Sequence, residues 1–138
     1  MDEFDEQKQR IAEILGTEDL AVTLKSLTLY REYLRKNLDT PCTMTGIEDF
    51  PWEEKYVFGY DEKAGNEALK ENQPSCTDIY ELKRFEDLMD ENTGIIVKVK
   101  RIKDNRRFIL ELASLKAADK TTKNHMLLDD YSVWFFNH

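Results

Sequence analysis

The sequence predicts an α+β fold: two N-terminal helices, a small twisted antiparallel sheet or partly open barrel, and a short C-terminal helix. Three patterns support this class. Apolar residues recur at helical spacing before Pro41, apolar and charged residues alternate from residue 94 to residue 112, and aromatic residues cluster near the end. With 138 residues, of which 41% are hydrophobic, the chain can bury a core of its own. We therefore expect residues 1–138 to form a single domain.

Two amphipathic helices are predicted before Pro41. Gly16 is suited to end the first, because glycine readily adopts the left-handed conformation that follows many helices. A cap on Thr17 or Asp19 is expected to begin the second, which should end near Asn37. The apolar face of the first helix consists of Phe4, Ile11, Ile14 and Leu15, and that of the second consists of Leu20, Leu24, Leu27, Tyr30, Tyr33, Leu34 and Leu38.

Short elements are predicted in the middle of the chain. Residues 42–47 and 56–59 favour strands on either side of an acidic segment. A brief helix is predicted between Asp61 and Asn72, and residues 77–82 are expected to form another strand.

The strongest β signal is a hairpin formed by residues 94–102 and 107–112. Asp104 and Asn105 are residues that favour a turn between the two strands. One face of the first strand should be buried and the other exposed to solvent (the wet face), because apolar residues alternate with residues that are mainly basic. The predicted buried face consists of Ile95, Val97 and Val99, and the wet face consists of Ile96, Lys98 and Lys100.

A further helix, capped by Thr121 or Thr122, is predicted at the C-terminus. Asp129 and Asp130 are expected to point away from its apolar face. Aromatic residues are dense on that face, so we expect it to pin the end of the chain to the core. The face consists of Leu127, Tyr131, Trp134 and Phe135.

The net charge of −8 is unevenly distributed. Residues 48–91 carry fourteen acidic and five basic side chains, a net charge of −9, whereas residues 95–125 carry three acidic and nine basic side chains, a net charge of +6. The two regions can steer charged partners, or they can neutralise each other across a sheet and its loops. The basic residues alternate with core residues and the rest of the chain is acidic, so no nucleic-acid partner is predicted.

Targeting and redox signals are weak. The acidic N-terminus lacks the basic and apolar regions of a signal peptide, and no apolar stretch approaches the roughly 20 residues that span a membrane. A cytoplasmic protein without a membrane partner is therefore expected. Cys42 and Cys76 are expected to be reduced thiols, with a disulfide as the alternative.

The sequence offers little for catalysis. Its histidines are His125 and His138, both expected at the surface, and no nucleophile or phosphate-binding motif is present. Adjacent acid pairs occur, but a carboxylate-based enzyme needs two acids that face each other across a cleft. We therefore expect no enzymatic activity and keep that enzyme as an alternative.

The strongest functional signal is the acidic segment that follows Gly46. It offers four carboxylates within seven residues, and calcium prefers six to eight oxygen ligands on a loop that can wrap it. Neither Asp61 nor Asp90 begins an EF-hand loop, because the glycine and final glutamate of that motif are missing at the required positions. The alternative is a solvated acidic segment without metal. The candidate calcium ligands are Glu48, Asp49, Glu53 and Glu54, with Asp61 and Asp130 as weaker additions.

In Tyr30–Cys42 an aromatic-rich helix runs into a proline and a strand, and Leu112–Trp134 contains an acidic pair followed by two aromatic residues. These two stretches resemble the small acidic bacterial calcium-binding proteins of the CcbP type. The resemblance implies calcium binding through surface acidic residues without an EF-hand. The predicted function is thus calcium binding, as a buffer or sensor, with a divalent cation as partner. The alternative is a non-enzymatic protein-interaction or structural module on a small barrel without metal, which binds a protein partner through the basic hairpin or an aromatic groove.

Overall fold

A computed structural model describes residues 3–48 and 74–138. Within these residues the chain forms three α-helices and a five-stranded antiparallel sheet, which confirms the predicted α+β class. The sheet is open, with strand order β4-β3-β2-β1-β5. The helices are α1 (Glu3–Leu15), α2 (Leu24–Asn37) and α3 (Lys123–Asn137), and the strands are β1 (Thr43–Gly46), β2 (Tyr80–Phe85), β3 (Ile96–Arg101), β4 (Arg107–Glu111) and β5 (Leu115–Ala117).

The first helix ends where glycine was predicted to end it. Gly16 has a φ of +69°, and its N–H donates to the carbonyl of Ala12 at 2.9 Å. Ile11 and Leu15 are buried, and Ile14 packs against the core as expected. The side chain of Phe4 lies outside the described part of the chain.

The second helix begins later than predicted, at a cap on Thr23 rather than on Thr17 or Asp19. The Thr23 hydroxyl accepts a hydrogen bond from the N–H of Ser26, whose hydroxyl accepts one from the N–H of Thr23, so each residue satisfies a free amide of the other. Leu24 therefore lies in the first turn and is exposed, whereas the helix buries Leu27, Tyr30 and Leu34 in the core.

Two of the β predictions are confirmed. Residues 42–47 contain β1, and the hairpin is β3 and β4, with Asn105 at a φ of +61° in the turn. The strand predicted for residues 77–82 instead begins at Tyr80, because a turn closed by the Asp78 N–H and the Ser75 carbonyl precedes it. The strand predicted for residues 56–59 and the helix predicted for residues 61–72 lie outside the described residues.

The core is formed by one face of the sheet together with the apolar faces of the helices. Trp134 of α3 lies at its centre: its ring stacks on Tyr30 at 4.9 Å, and its indole N–H donates to the Leu20 carbonyl at 2.7 Å. The C-terminal aromatic residues thus pin α3 to the core, as predicted, and Thr122 is its cap. No helix in the described ranges is long and apolar enough to cross a membrane.

Candidate functional site

The acidic segment lies within residues 47–75, and the residues that flank this stretch meet beside β1. The N–H of Gly46 donates to the Cys76 carbonyl at 2.9 Å, and the Thr45 hydroxyl contacts the carbonyls of Cys76 and Asp78 at 3.0 and 2.9 Å. Glycine is required at residue 46, because a Cβ there would lie 2.6 Å from the Cα of Cys76. The segment between these residues therefore starts and ends at one place on the sheet.

The structure locates two of the six predicted calcium ligands. Glu48 is exposed just after β1, and Asp130 lies buried in α3. In residues 3–48 and 74–138, no group of three or more histidines, cysteines, aspartates or glutamates is arranged to hold a metal ion. The other candidates, Asp49, Glu53, Glu54 and Asp61, lie outside the described residues.

Asp130 is the centre of an ion pair between α1 and α3. Arg10 donates from Nε to Asp130 Oδ2 at 2.8 Å and from Nη2 to Oδ1 at 2.9 Å, and Gln7 donates to Oδ1 at 2.9 Å. The expectation that Asp130 points away from the buried face of its helix is wrong, because α1 packs there and brings a matching cation. A metal ion at Asp130 would have to displace this bidentate pair.

A cleft of about 260 Å³ lies beside the ion pair. At its wall, both oxygens of Asp130 accept hydrogen bonds from Arg10. The Asp130 carboxylate is therefore not free to act as a nucleophile. The side chains that line it are Arg10, Glu13, Ile14, Tyr33, Met126, Leu127 and Asp130.

Two tyrosines of the core differ in how their hydroxyls are satisfied. The Tyr131 hydroxyl accepts a hydrogen bond from the N–H of Ile95 at 2.8 Å. The hydroxyl of Tyr30 is buried and has no hydrogen-bond partner among the described residues, and burial together with the charge of Asp130 raises the pKa of Tyr30. The two rings meet edge to face with centroids 5.2 Å apart. Tyr30 therefore serves packing, whereas Tyr131 fixes the backbone at the start of β3.

Arg101, at the end of β3, is a buried cation, although the basic residues of the hairpin were expected to lie on its solvated face. Its guanidinium donates to Asp104 at 2.6 Å and to Asp78 at 3.1 Å, and it lies over the ring of Phe108. Lys103 also approaches Asp78, at 3.4 Å, so this carboxylate is already bound by cations. The signal was present in the strand alternation, since Arg101 shares the parity of the buried residues Val97 and Val99.

The opposite face of the sheet carries mainly basic side chains. Glu81, on this face, lies between Lys83 at 2.9 Å and Lys100 at 3.5 Å, and these cations lower the pKa of Glu81. Ile96 and Ile109, opposite Glu111 and Lys98, add aliphatic surface to the same face. The basic side chains of the face are Lys83, Arg84, Lys98, Lys100, Arg107 and Lys116.

Both cysteines of the chain are free thiols, as expected. Cys42 is buried at the start of β1, and burial raises the pKa of its thiol to about 11. A thiol with so high a pKa is a poor nucleophile and metal ligand at neutral pH, because little thiolate is present. Cys76 is half-buried and contributes its carbonyl to the base of the acidic segment.

Comparisons with protein-family models, with curated proteins and with solved structures found no match. The resemblance to the CcbP-type proteins therefore depends on the residues quoted above and stays a prediction. Function is inferred from the residues and from the geometry that positions them.

Proposed function

We propose that this chain is a non-enzymatic, cytoplasmic calcium-binding protein, a buffer or sensor whose ligands are carboxylates of the acidic segment. The observation that most supports this proposal is the pair of hydrogen bonds that the Cys76 carbonyl accepts from Gly46 and Thr45. They close the stretch of residues 47–75 that contains the acidic segment. Since closing a chain segment costs conformational entropy, part of the cost of ordering the proposed ligands around one ion is already met in the folded protein.

The proposed ligands follow from charge density. Glu48, Asp49, Glu53 and Glu54 place four carboxylates within seven residues, and Asp61 follows shortly. Carboxylates that bind in bidentate fashion, with backbone carbonyls and water, can supply the six to eight oxygens that calcium needs. Asp130 is left out of the proposed set, because its oxygens accept hydrogen bonds from Arg10 and Gln7.

Isothermal titration of the full chain with calcium, and separately with magnesium, tests this proposal. We expect heat of binding with calcium and much weaker binding of magnesium, which prefers a smaller octahedral site. The substitutions E53Q and E54Q together should weaken calcium binding at least about tenfold, because two charged ligands are lost.

The matched control removes the same charge elsewhere. Glu86 and Asp87 are an adjacent acid pair outside the segment, so E86Q with D87N should leave calcium affinity unchanged. Absence of any calcium binding tighter than about 1 mM, the weak end of protein calcium sites, would contradict the proposed function. Binding that E53Q and E54Q leave intact would show that the ligands lie elsewhere.

A second candidate is a protein-interaction module that uses the basic face of the sheet. It is favoured by one observation: on this face basic side chains outnumber Glu81 and Glu111, although the whole chain carries a net charge of −8. An acidic protein segment fits such a surface. Binding of a labelled polyglutamate peptide in the presence of a calcium chelator, lost on K98E with K100E, would support this candidate; no binding would exclude it.

A further inference from the structure

Among the residues that the structure describes, β4 is one edge strand of the sheet. The N–H of Leu112 donates to the Ile95 carbonyl at 2.9 Å, and the N–H of Arg101 donates to the Arg106 carbonyl at 2.7 Å. Hydrogen-bonded residues alternate along an antiparallel ladder, so these bonds fix which residues of β4 face β3. The residues whose backbone N–H and C=O groups point away from β3 are Arg107, Ile109 and Glu111.

Within one copy of the chain, the side chains of these three residues have unfavourable surroundings. Arg107 lies opposite Lys100, a like charge, and Ile109 is 55% exposed. Partial burial and the charge of Asp90 raise the pKa of Glu111. Across the described part of the chain, neither Arg107 nor Glu111 forms an ion pair.

The edge is complementary to itself. If a second copy of β4 lies antiparallel with the two Ile109 residues opposite each other, Arg107 of each copy faces Glu111 of the other. Opposite charges in directly facing positions stabilise a strand pair, and like charges destabilise it. A centre at Arg107 would oppose two cations, and a centre at Glu111 would oppose two carboxylates. Centring on Phe108 would place Arg107 opposite Ile109, and centring on Leu110 would place Ile109 opposite Glu111, so neither register sets opposite charges against each other.

We propose that two copies of the chain pair through β4 about a two-fold axis at Ile109, so that their sheets become one continuous antiparallel sheet. The register lets Ile109 exchange both backbone hydrogen bonds with its counterpart, and Arg107 and Glu111 do the same with each other. On the inner side, Phe108 faces Leu110 of the second copy. Phe108 is already positioned by Tyr80, at 6.5 Å between ring centroids, so little ordering is needed.

Sedimentation equilibrium of the full chain tests the pairing through a charge swap. R107E or E111R alone places like charges opposite each other at two symmetric positions, and each should raise the dimer dissociation constant at least about tenfold. R107E with E111R together restores opposite charges and should bring the constant back to within about threefold of the original. The control K116E makes the same charge change on β5, at the other edge of the sheet, and should leave dimerisation unchanged.

Amide hydrogen exchange gives a readout that does not depend on substitution. The amides of Arg107, Ile109 and Glu111 should gain protection as protein concentration rises, whereas those of Phe108 and Leu110, already bonded to β3, should not. I109P removes only an outward N–H and is tolerated on an edge strand, so it should abolish the dimer while the sheet persists. A chain that stays monomeric at the highest concentrations, or a dimer that the single charge reversals leave intact, overturns the proposal.

Discussion

Arg10 and Asp130 join the first and last helices through two hydrogen bonds of 2.8 and 2.9 Å, although they lie 120 residues apart in the sequence. The side chain of Asp130 is 2% exposed and that of Arg10 is 37% exposed, so the carboxylate depends on its partner far more than the guanidinium does. A buried charge that loses its partner costs several kcal/mol, whereas an exposed one costs little. Because the buried carboxylate needs its partner, we infer that the pair stabilises the fold.

Replacing Arg10 by methionine should therefore destabilise the fold. We expect a loss of about 2 kcal/mol in the free energy of unfolding, because Asp130 stays buried with Gln7 as its remaining donor. Urea denaturation at pH 7 measures it. The control D129N alters the exposed neighbouring aspartate and should cost less than about 0.5 kcal/mol. Equal costs for the two variants would contradict a structural role for the pair.

The two core tyrosines should respond oppositely to removal of their hydroxyls. Tyr30→Phe deletes a buried hydroxyl that has no hydrogen-bond partner in residues 3–48 and 74–138, so stability should be unchanged or rise. Tyr131→Phe leaves the N–H of Ile95 buried without an acceptor and should cost about 1–2 kcal/mol. Thermal and urea denaturation of both variants check this. A larger loss for Tyr30→Phe than for Tyr131→Phe would show that the Tyr30 hydroxyl has a role of its own.

Gly94 and Gly16 form a matched pair, because both have a φ of +69°. A Cβ at residue 94 would lie 2.6 Å from the Tyr131 hydroxyl and 2.7 Å from the ring of Phe135, whereas residue 16 has open space around it. Gly16→Ala should cost about 1 kcal/mol for the backbone conformation alone. Gly94→Ala should cost about 3 kcal/mol, because side chains must also move. Similar costs in urea denaturation would mean that α3 gives way easily at this contact.

Local patterns were enough to predict the hairpin and the helices. The alternation from residue 95 to residue 100 reports a strand with one buried face, and Asn105 marks the turn because it tolerates a positive φ. Gly16 ended the first helix for a similarly local reason. Such features depend on neighbours in the sequence, which is why sequence reasoning reached them.

The features that the sequence did not predict depend on contacts between segments that lie far apart in the chain. Asp130 was expected to face water, and only the packing of α1 on α3 shows that Arg10 meets it. The start of the second helix was also misplaced, because Thr23 and Ser26 cap each other's amides, whereas Thr17 and Asp19 accept hydrogen bonds from the amides of Asp19 and Ala21, which precede the helix. For the candidate calcium site, the sequence indicated the acidic residues, but not that Gly46 and Cys76 join the ends of their segment.

Asp104 should make the fold sensitive to acid. Two hydrogen bonds from Arg101, with a further one from the N–H of Arg106, lower the pKa of Asp104 from 3.8 to about 2. In the unfolded chain the aspartate titrates at about 3.9. Because the folded pKa is the lower one, the ionised carboxylate stabilises the fold above about pH 4, and this contribution is lost as the pH falls through about 2.

The substitution D104N isolates that contribution. The variant should be less stable than the unmodified chain at pH 5, and the difference should shrink steadily between pH 4 and pH 2, as followed by urea midpoints. Titration of the Asp104 carboxyl by NMR should give a pKa near 2 in the unmodified chain, and R101K should raise it, because lysine cannot reproduce the two parallel hydrogen bonds of a guanidinium. A stability difference that stays constant down to pH 2 would mean that the Arg101 pair does not favour the ionised carboxylate.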